Sequence, residues 1–259
     1  MGLGDRAPAT PSGARRGTHW RYAIPVQVPQ GAQEYLEAIY EMEEEGGRIA
    51  QARIAKRLGV SAPAVSEQVR RLSKEGLVSV ADRQIALSAE GRAVATPLVR
   101  RHRLAERLLV DILEIPWHRA HEEAHAWEHV ISPEVEERIL TKTGATTCPH
   151  GNPIPGLEPP YDRTKLVTLA QLAVGERGRL SLLTEDVELV TGVLAYFEEK
   201  KLMPGATVEV TGIGPDGTLT LSVEGTSASL GANLADNVWI LPDSAPGRDG
   251  GGDRGRVSP

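Results

Sequence analysis

Five of the chain's seven histidines, His102, His118, His121, His125 and His129, fall between residues 102 and 129. At about 100° per residue, His121, His125, Glu128 and His129 share one helical face, with neighbours three or four apart roughly 5 to 6 Å from each other. His102 and Glu106, also four apart, make a second pair upstream. Imidazoles and carboxylates gathered in an interior are costly unless they pair or hold a metal ion, so two helices packed with these faces inward define a metal site. A solvated charged face is the alternative. Trp127, Val130 and Ile131 point away from the stripe and give the helix an apolar side to bury, which favours the packed arrangement.

His121-Glu122-Glu123-Ala124-His125 also fits H-E-x-x-H, in which two histidines hold zinc and the glutamate serves as general base. Glu128 and His129 crowd the same stripe, and crowding suits a sensor or structural site better than an open catalytic one.

The 259 residues suit one large domain or two to three small ones, and 40% hydrophobic content supports real cores. With Cys148 alone, no internal disulfide can form. The sequence has no apolar run of membrane-spanning length and no hydrophobic signal-peptide core near Met1, so a cytoplasmic protein with no membrane partner is expected. A net charge of −6 argues against a general polyanion binder but leaves local patches open.

Residues 1–30, rich in Gly, Pro, Ala and Arg, read as a flexible arm. From Ala32 to Glu45, Tyr35, Leu36, Ile39, Tyr40 and Met42 follow a 3.6-residue period up to Gly46-Gly47. Glu34, at the start of this helix, is not distinguished from an ordinary first-turn carboxylate by its local context. A short helix from Ile49 to Leu58, Gly59, and a second helix capped by Ser61 with Pro63 in its first turn make a helix-turn-helix, whose second helix enters the major groove of DNA. Between Gly47 and Gly76, seven basic residues stand against two acidic ones. Arg53 and Arg70 belong to this island and suit phosphates, while Ser61, Ala62, Pro63, Ala64, Ser66, Glu67 and Gln68 are placed to face base edges. Strands at Leu77–Ala81 and Gln84–Ser88, joined at Asp82-Arg83, form a wing, completing a DNA-binding domain over 31–91.

Ser88 caps a long helix reaching about Leu113, the metal helix spans about Pro116 to Ile131, and another helix runs from Pro133 to about Lys142, giving a helical domain over 92–145. Residues 146–164 form a proline-rich linker in which Cys148 is expected as a free thiol, its two-residue spacing from His150 being weak as a ligand pair. Over 165–242, β-rich runs at Leu166–Leu169, Gly178–Leu183, Thr207–Gly212, Thr218–Val223 and Val238–Leu241, with one helix near Val187 to Lys200, suggest a small β-barrel. Residues 243–259 read as a disordered tail. The expected class is mainly α with small β parts, an α+β multidomain chain.

The order of helix-turn-helix, wing and His/Glu stripe resembles the diphtheria toxin repressor family over about residues 32 to 242. The most specific pieces are Arg101-His-Arg-Leu-Ala-Glu-Arg-Leu-Leu109, His121-Glu-Glu-Ala-His-Ala-Trp-Glu-His-Val-Ile131 and Gly151-Asn-Pro-Ile-Pro-Gly156. The resemblance implies a winged helix, a helical dimerisation region and a C-terminal barrel similar to SH3 or FeoA domains. It places an ancillary metal site on His102, Glu106 and His121, with Glu185 and Glu188 as barrel ligands, and a primary site on Glu34, His125, Glu128 and His129. Iron-responsive members carry methionine and cysteine where this chain has Glu34 and His125, and an all-nitrogen-and-oxygen site suits Mn2+, or alternatively Fe2+. Zn2+, Co2+ or Ni2+ can substitute in a test tube.

The implied protein is a homodimeric repressor of metal uptake acting on palindromic double-stranded DNA, with no small organic substrate. Its activation should weaken below about pH 6 as imidazoles protonate. The alternatives are a zinc hydrolase with Glu122 as base and a DNA-binding protein whose metal is purely structural.

Overall fold

A computed structural model describes residues 28–243; the flexible arm and tail expected from sequence lie, but for their inner ends, outside these residues. Helix α1 (Gln30–Glu45) buries Tyr35, Leu36, Ile39 and Met42, as its apolar period requires. Helices α2 (Gln51–Leu58) and α3 (Ala62–Lys74) meet at Gly59, whose φ of 63° turns the chain in the left-handed region, and the Ser61 side chain caps α3 at Ala64 N. Strands β1 (Val78–Ala81) and β2 (Gln84–Leu87) form the wing. Asp82 and Arg83 both take positive φ, 48° and 59°, so the hairpin uses a primed turn without the glycine that normally supplies it.

The long helix α4 (Ala89–Asp111), capped by Ser88, crosses from the first hydrophobic core to the second. Its first half packs Val94, Ala95 and Leu98 with α1, α3 and the wing, and its second half packs Leu104, Ala105 and Leu109 with Ala124, Ile131 and Ile139. The metal helix is shorter than its stripe suggests. A 3-10 turn at Trp117–Arg119 leads into α5 (Ala120–Trp127), and Glu128 to Val130 form a turn before Ser132-Pro133 starts α6 (Pro133–Thr143). With the helix ended at Trp127, Val130 swings out to 77% exposure instead of joining the apolar side, while Ile131 stays buried.

The proline-rich segment 146–164 is packed in place. Cys148, His150, Asn152 and Ile154 are buried, and Leu183 N donates to His150 O at 2.9 Å, which docks the segment on the barrel. Gly151 has φ 97°, and a Cβ there would overlap the backbone of Ser181 and Leu182, so close approach requires glycine.

The barrel contains β3 (Val167–Thr168), β4 (Arg177–Leu183), β5 (Thr207–Ile213), β6 (Leu219–Val223), β7 (Thr226–Leu230) and β8 (Val238–Pro242), in the order β3-β8-β4-β5-β6-β7 with every pair antiparallel. Strand β7 is an addition to the expected set, paired with β6 through a Glu224-Gly225 turn of positive φ. The single helix expected near Val187 to Lys200 is two, α7 (Glu185–Glu188) and α8 (Val193–Glu199), parted at Gly192 with φ 79°; α9 (Ala232–Ala235) precedes β8. No helix among the described residues is long and apolar enough to cross a membrane.

Trp117 belongs to the helical region in sequence but sits in the barrel's core, 8% exposed, with its indole N–H donating to Pro149 O at 3.1 Å. Replacing it with alanine removes a large buried side chain at the joint of the two units. Trp117→Ala should cost about 3–5 kcal/mol of stability, read by denaturant unfolding of the full chain; a loss of a few tenths would contradict this packing role.

Candidate metal centre

Five segments deliver imidazoles and carboxylates to one volume. Helix α4 contributes His102 and Glu106, α5 and the turn after it contribute His121, His125, Glu128 and His129, the docked segment contributes Cys148 and His150, and α7 contributes Glu185 and Glu188. From α1 comes Glu37, 5% exposed, where the resemblance implied Glu34. The two are three residues apart on one face of α1, but Glu34 is exposed. It stands at the rim of a cavity of about 330 Å³ that Glu37, His125, Glu128, His129 and Glu185 also line.

Among the described residues, donor atoms converge within 4.8 Å in four overlapping sets: Glu37, His125 and Glu128; His102, His121 and His125; Glu106, His121 and Glu188; and Glu106, Cys148 and His150. His102 links them, with Nδ1 2.6 Å from Glu128 Oε2 and Nε2 3.2 Å from His121 Nδ1. His150 Nδ1 lies 3.2 Å from Glu106 Oε1 and 3.0 Å from Glu188 Oε2. His129 approaches Glu128 at 3.3 Å but enters none of the converging sets, and Glu185 reaches the cluster through His121 at 3.6 Å. His118 lies outside, paired with Glu198 of α8.

Sequence reasoning missed Glu37, Cys148 and His150 as parts of the cluster. For Glu37 the i, i+3 spacing from Glu34 was a usable signal. Cys148 is a buried free thiol, as expected, but it stands with Glu106 and His150 rather than alone. The donor set is therefore nitrogen and oxygen at Glu37, His125 and Glu128, and includes one sulfur at the other end.

This donor set fits a cation. Glu37 Oε1, Glu106 Oε2, His121 Nε2 and His150 Nε2 are buried with no hydrogen-bond partner, and such orphaned atoms in an interior are unfavourable. Two of them are imidazole nitrogens whose ring partners are already held by carboxylates, the usual orientation of a metal-binding histidine.

Protons fill part of the role of a cation in the metal-free state. Burial lowers His121, but Glu188 and Glu106 outweigh it and hold the imidazolium up to about 10. Burial and the charge of Glu128 push Glu37 up to about 8, and burial with the charge of Glu188 pushes Glu185 up to about 7. Glu188 goes the other way: burial would raise it, but His150 and His121 bring it down to about 2. Burial, with Glu106 behind it, pushes the Cys148 thiol up to about 12, so it stays protonated unless a metal displaces its proton.

At the DNA-binding end, Ser61, Ala62, Pro63, Ala64, Ser66, Glu67 and Arg70 are exposed along the start and middle of α3, and Gln68 is half-buried. The basic island is less available than its composition suggests. Arg57 is buried, Arg53 is half-buried and paired with Glu45, and Arg48 donates to Asp82 O.

The three parts match known families in register. The description "Iron dependent repressor, N-terminal DNA binding domain" matches residues 29–86, "Iron dependent repressor, metal binding and dimerisation domain" matches 88–156, and "FeoA domain" matches 167–242. The iron-dependent repressor IdeR of Mycobacterium tuberculosis is 43% identical over 204 residues, covering 74% of this chain and 87% of the relative. The diphtheria toxin repressor of Corynebacterium diphtheriae is 38% identical over 216 residues, covering 80% and 94%. Among solved structures, a manganese-dependent transcriptional repressor in complex with manganese superposes with a TM-score of 0.71 at 30% identity, covering 82% of this chain and 99% of its own. The manganese regulator SloR gives 0.66 at 30% identity, covering 81% and 97%. A winged helix joined to a buried His/carboxylate cluster and a FeoA barrel defines a metalloregulatory class. The chain belongs to the iron-dependent repressor family, that of the diphtheria toxin repressor, whose members are repressors and not enzymes. Glu122, the base of the hydrolase alternative, is exposed and enters none of the converging sets.

The raised groups set the sign of the pH dependence. Glu185, Glu37 and His121 keep their protons up to about 7, about 8 and about 10, so a cation must displace protons at neutral pH. Metal affinity should therefore climb as pH rises from about 6 to about 10, a window that extends well above that of free imidazole, and calorimetry in two buffers of different ionisation enthalpy should show about one proton or more released per ion at neutral pH. Binding without proton release would contradict the protonated cluster.

Proposed function

We propose that the protein is a homodimeric, metal-activated transcriptional repressor that binds palindromic operator DNA and lowers metal uptake when the ion is plentiful. The observation that carries this reading is that one cluster draws its donors from the DNA-binding domain (Glu37), the helical region (His102, Glu106, His121, His125, Glu128) and the barrel (Glu188). A bound divalent cation would supply the positive charge that a cluster so rich in carboxylate lacks. Glu37 sits on the helix against which the helix-turn-helix packs, so its hold on the cluster fixes α3 relative to α4 and α5. In a dimer, two recognition helices fixed in this way can match half-sites ~34 Å apart. Exposed Ser61, Ala62, Pro63, Ala64, Ser66 and Glu67, with Gln68 half-buried, face bases; Arg70, and Arg53 beside Glu45, serve phosphates.

Manganese is the proposed ion. Glu37, His125 and Glu128 offer oxygen and nitrogen only, with Glu34 and His129 on the same cavity, and this hard set suits Mn2+ or Fe2+ over thiolate-selecting metals. The Glu106, Cys148 and His150 set is softer and serves as the ancillary site, together with His102, His121, Glu185 and Glu188.

Selection from random duplex DNA by the metal-free protein, with Mn2+, Fe2+ or Zn2+ added back, tests this reading. A palindrome should be enriched only with metal, and Glu37→Gln should need roughly 10- to 100-fold more Mn2+ for the same occupancy. Enrichment that ignores every metal would overturn the proposal.

A further inference from the structure

Between the two barrel carboxylates of the metal cluster lies a residue that faces the other way. Glu185 and Glu188 are three apart on α7 and buried against His121. Asp186, about 100° around from Glu185, reaches α2 instead, where its Oδ1 accepts from Arg57 Nε at 2.7 Å across 129 residues of sequence. Its side chain keeps 32% exposure, whereas that of Arg57 keeps 3%.

Arg57 is the meeting point of three elements. Its remaining nitrogens donate to Glu41 at 3.2 Å and to Glu45 at 2.7 and 2.8 Å, both on α1. Glu37, Glu41 and Glu45 are spaced four apart, so one stripe of α1 runs from the metal cluster to Arg57. A second path, shorter in residues, runs through α7 from Glu185 and Glu188 to Asp186. Both end on the last turn of α2, directly before Gly59 and the start of the recognition helix α3.

The surroundings weigh in favour of a coupling contact over an incidental surface pair. An exposed ion pair is worth little, but the Arg57 guanidinium is nearly enclosed, and its Nε faces Asp186 while the other nitrogens face α1. A buried donor left unpaired costs more than the pair itself is worth. The barrel therefore supplies one of the three carboxylates that hold the first helix of the helix-turn-helix, from the same four-residue helix that closes the metal cluster.

We propose that the Asp186–Arg57 contact transmits occupancy of the metal cluster from the barrel to the recognition helix, Asp186 acting as a positioning residue for DNA binding. This rests on the metal-dependent repressor reading. With Glu185 and Glu188 drawn into the cluster, α7 is held at one height against α1, and Asp186 fixes the end of α2 through Arg57. When α7 is loosened, Arg57 retains Glu41 and Glu45, so the helix-turn-helix stays folded but loses its register with the rest of the chain.

The test uses the full-length protein with Asp186→Asn and Asp186→Glu, since Arg57 itself also serves α1. Mn2+ stoichiometry and melting temperature are measured without DNA, then affinity for the selected duplex with and without saturating Mn2+. Asp186→Asn should bind the same number of ions and keep its metal-free DNA affinity, while its metal-loaded affinity falls about 5-fold or more, within the usual range of coupling between sites. Asp186→Glu should recover most of that loss. A metal-dependent wild type matched by Asp186→Asn, or a loss that is equal with and without metal, overturns the coupling alone. A wild type whose DNA affinity ignores metal overturns the repressor reading and the coupling with it.

Discussion

Burial of like charge is the constraint around which the chain is arranged. Glu37, Glu106, Glu128, Glu185 and Glu188 are all nine-tenths or more enclosed around His102, His121 and His150. Ion pairs in an interior often return less than the desolvation they cost, so such a group is a poor source of stability. Its value is that no single unit can satisfy it. Among the described residues the three hydrophobic cores are separate, one for the winged helix, one for the helical region and one for the barrel, and the polar cluster draws on residues of all three units.

Several contacts secure that joint from outside. Trp117 carries the start of the metal helix into the barrel core, and its ring lies 4.6 Å from that of His150. Arg103, 1% exposed, donates to Pro153 O at 2.6 Å and to Glu44 of α1 at 2.6 Å, and approaches Glu185 at 3.4 Å. A cation on α4 thus stands beside carboxylates of both neighbouring units. Arg57 does the same from α2. Guanidinium groups suit this task because their fixed fork of donors serves several acceptors at once.

Much of this was legible because periodicity reports local structure well. The apolar spacing of Tyr35, Leu36, Ile39 and Met42, the Gly59-Val60-Ser61 turn and the strands of the wing all appear where their residue types place them. The His/Glu stripe also identified His102, Glu106, His121, His125 and Glu128, since spacing on a helix limits what can converge. What escaped depends on tertiary placement. Glu34, Glu37 and Glu41 share a face of α1, and the docking of α1 on α4 decides that Glu37 reaches His125 and Glu128 while Glu34 stays exposed. Cys148 and His150 lie in a segment whose prolines bar regular structure, and its burial follows from hydrogen bonds to β4 that no local pattern announces. The hairpin of β6 and β7 turns on Glu224-Gly225, a weaker signal than Asn-Gly.

One cation-ready cluster joins three units that each have their own core. Scanning calorimetry of the full chain, metal-free and then with excess Mn2+, tests it most directly. Separable unfolding transitions are expected without metal and a single transition at higher temperature with it, since a ligand bound only by the joined state stabilises that state. One transition at the same temperature in both conditions would contradict the claim.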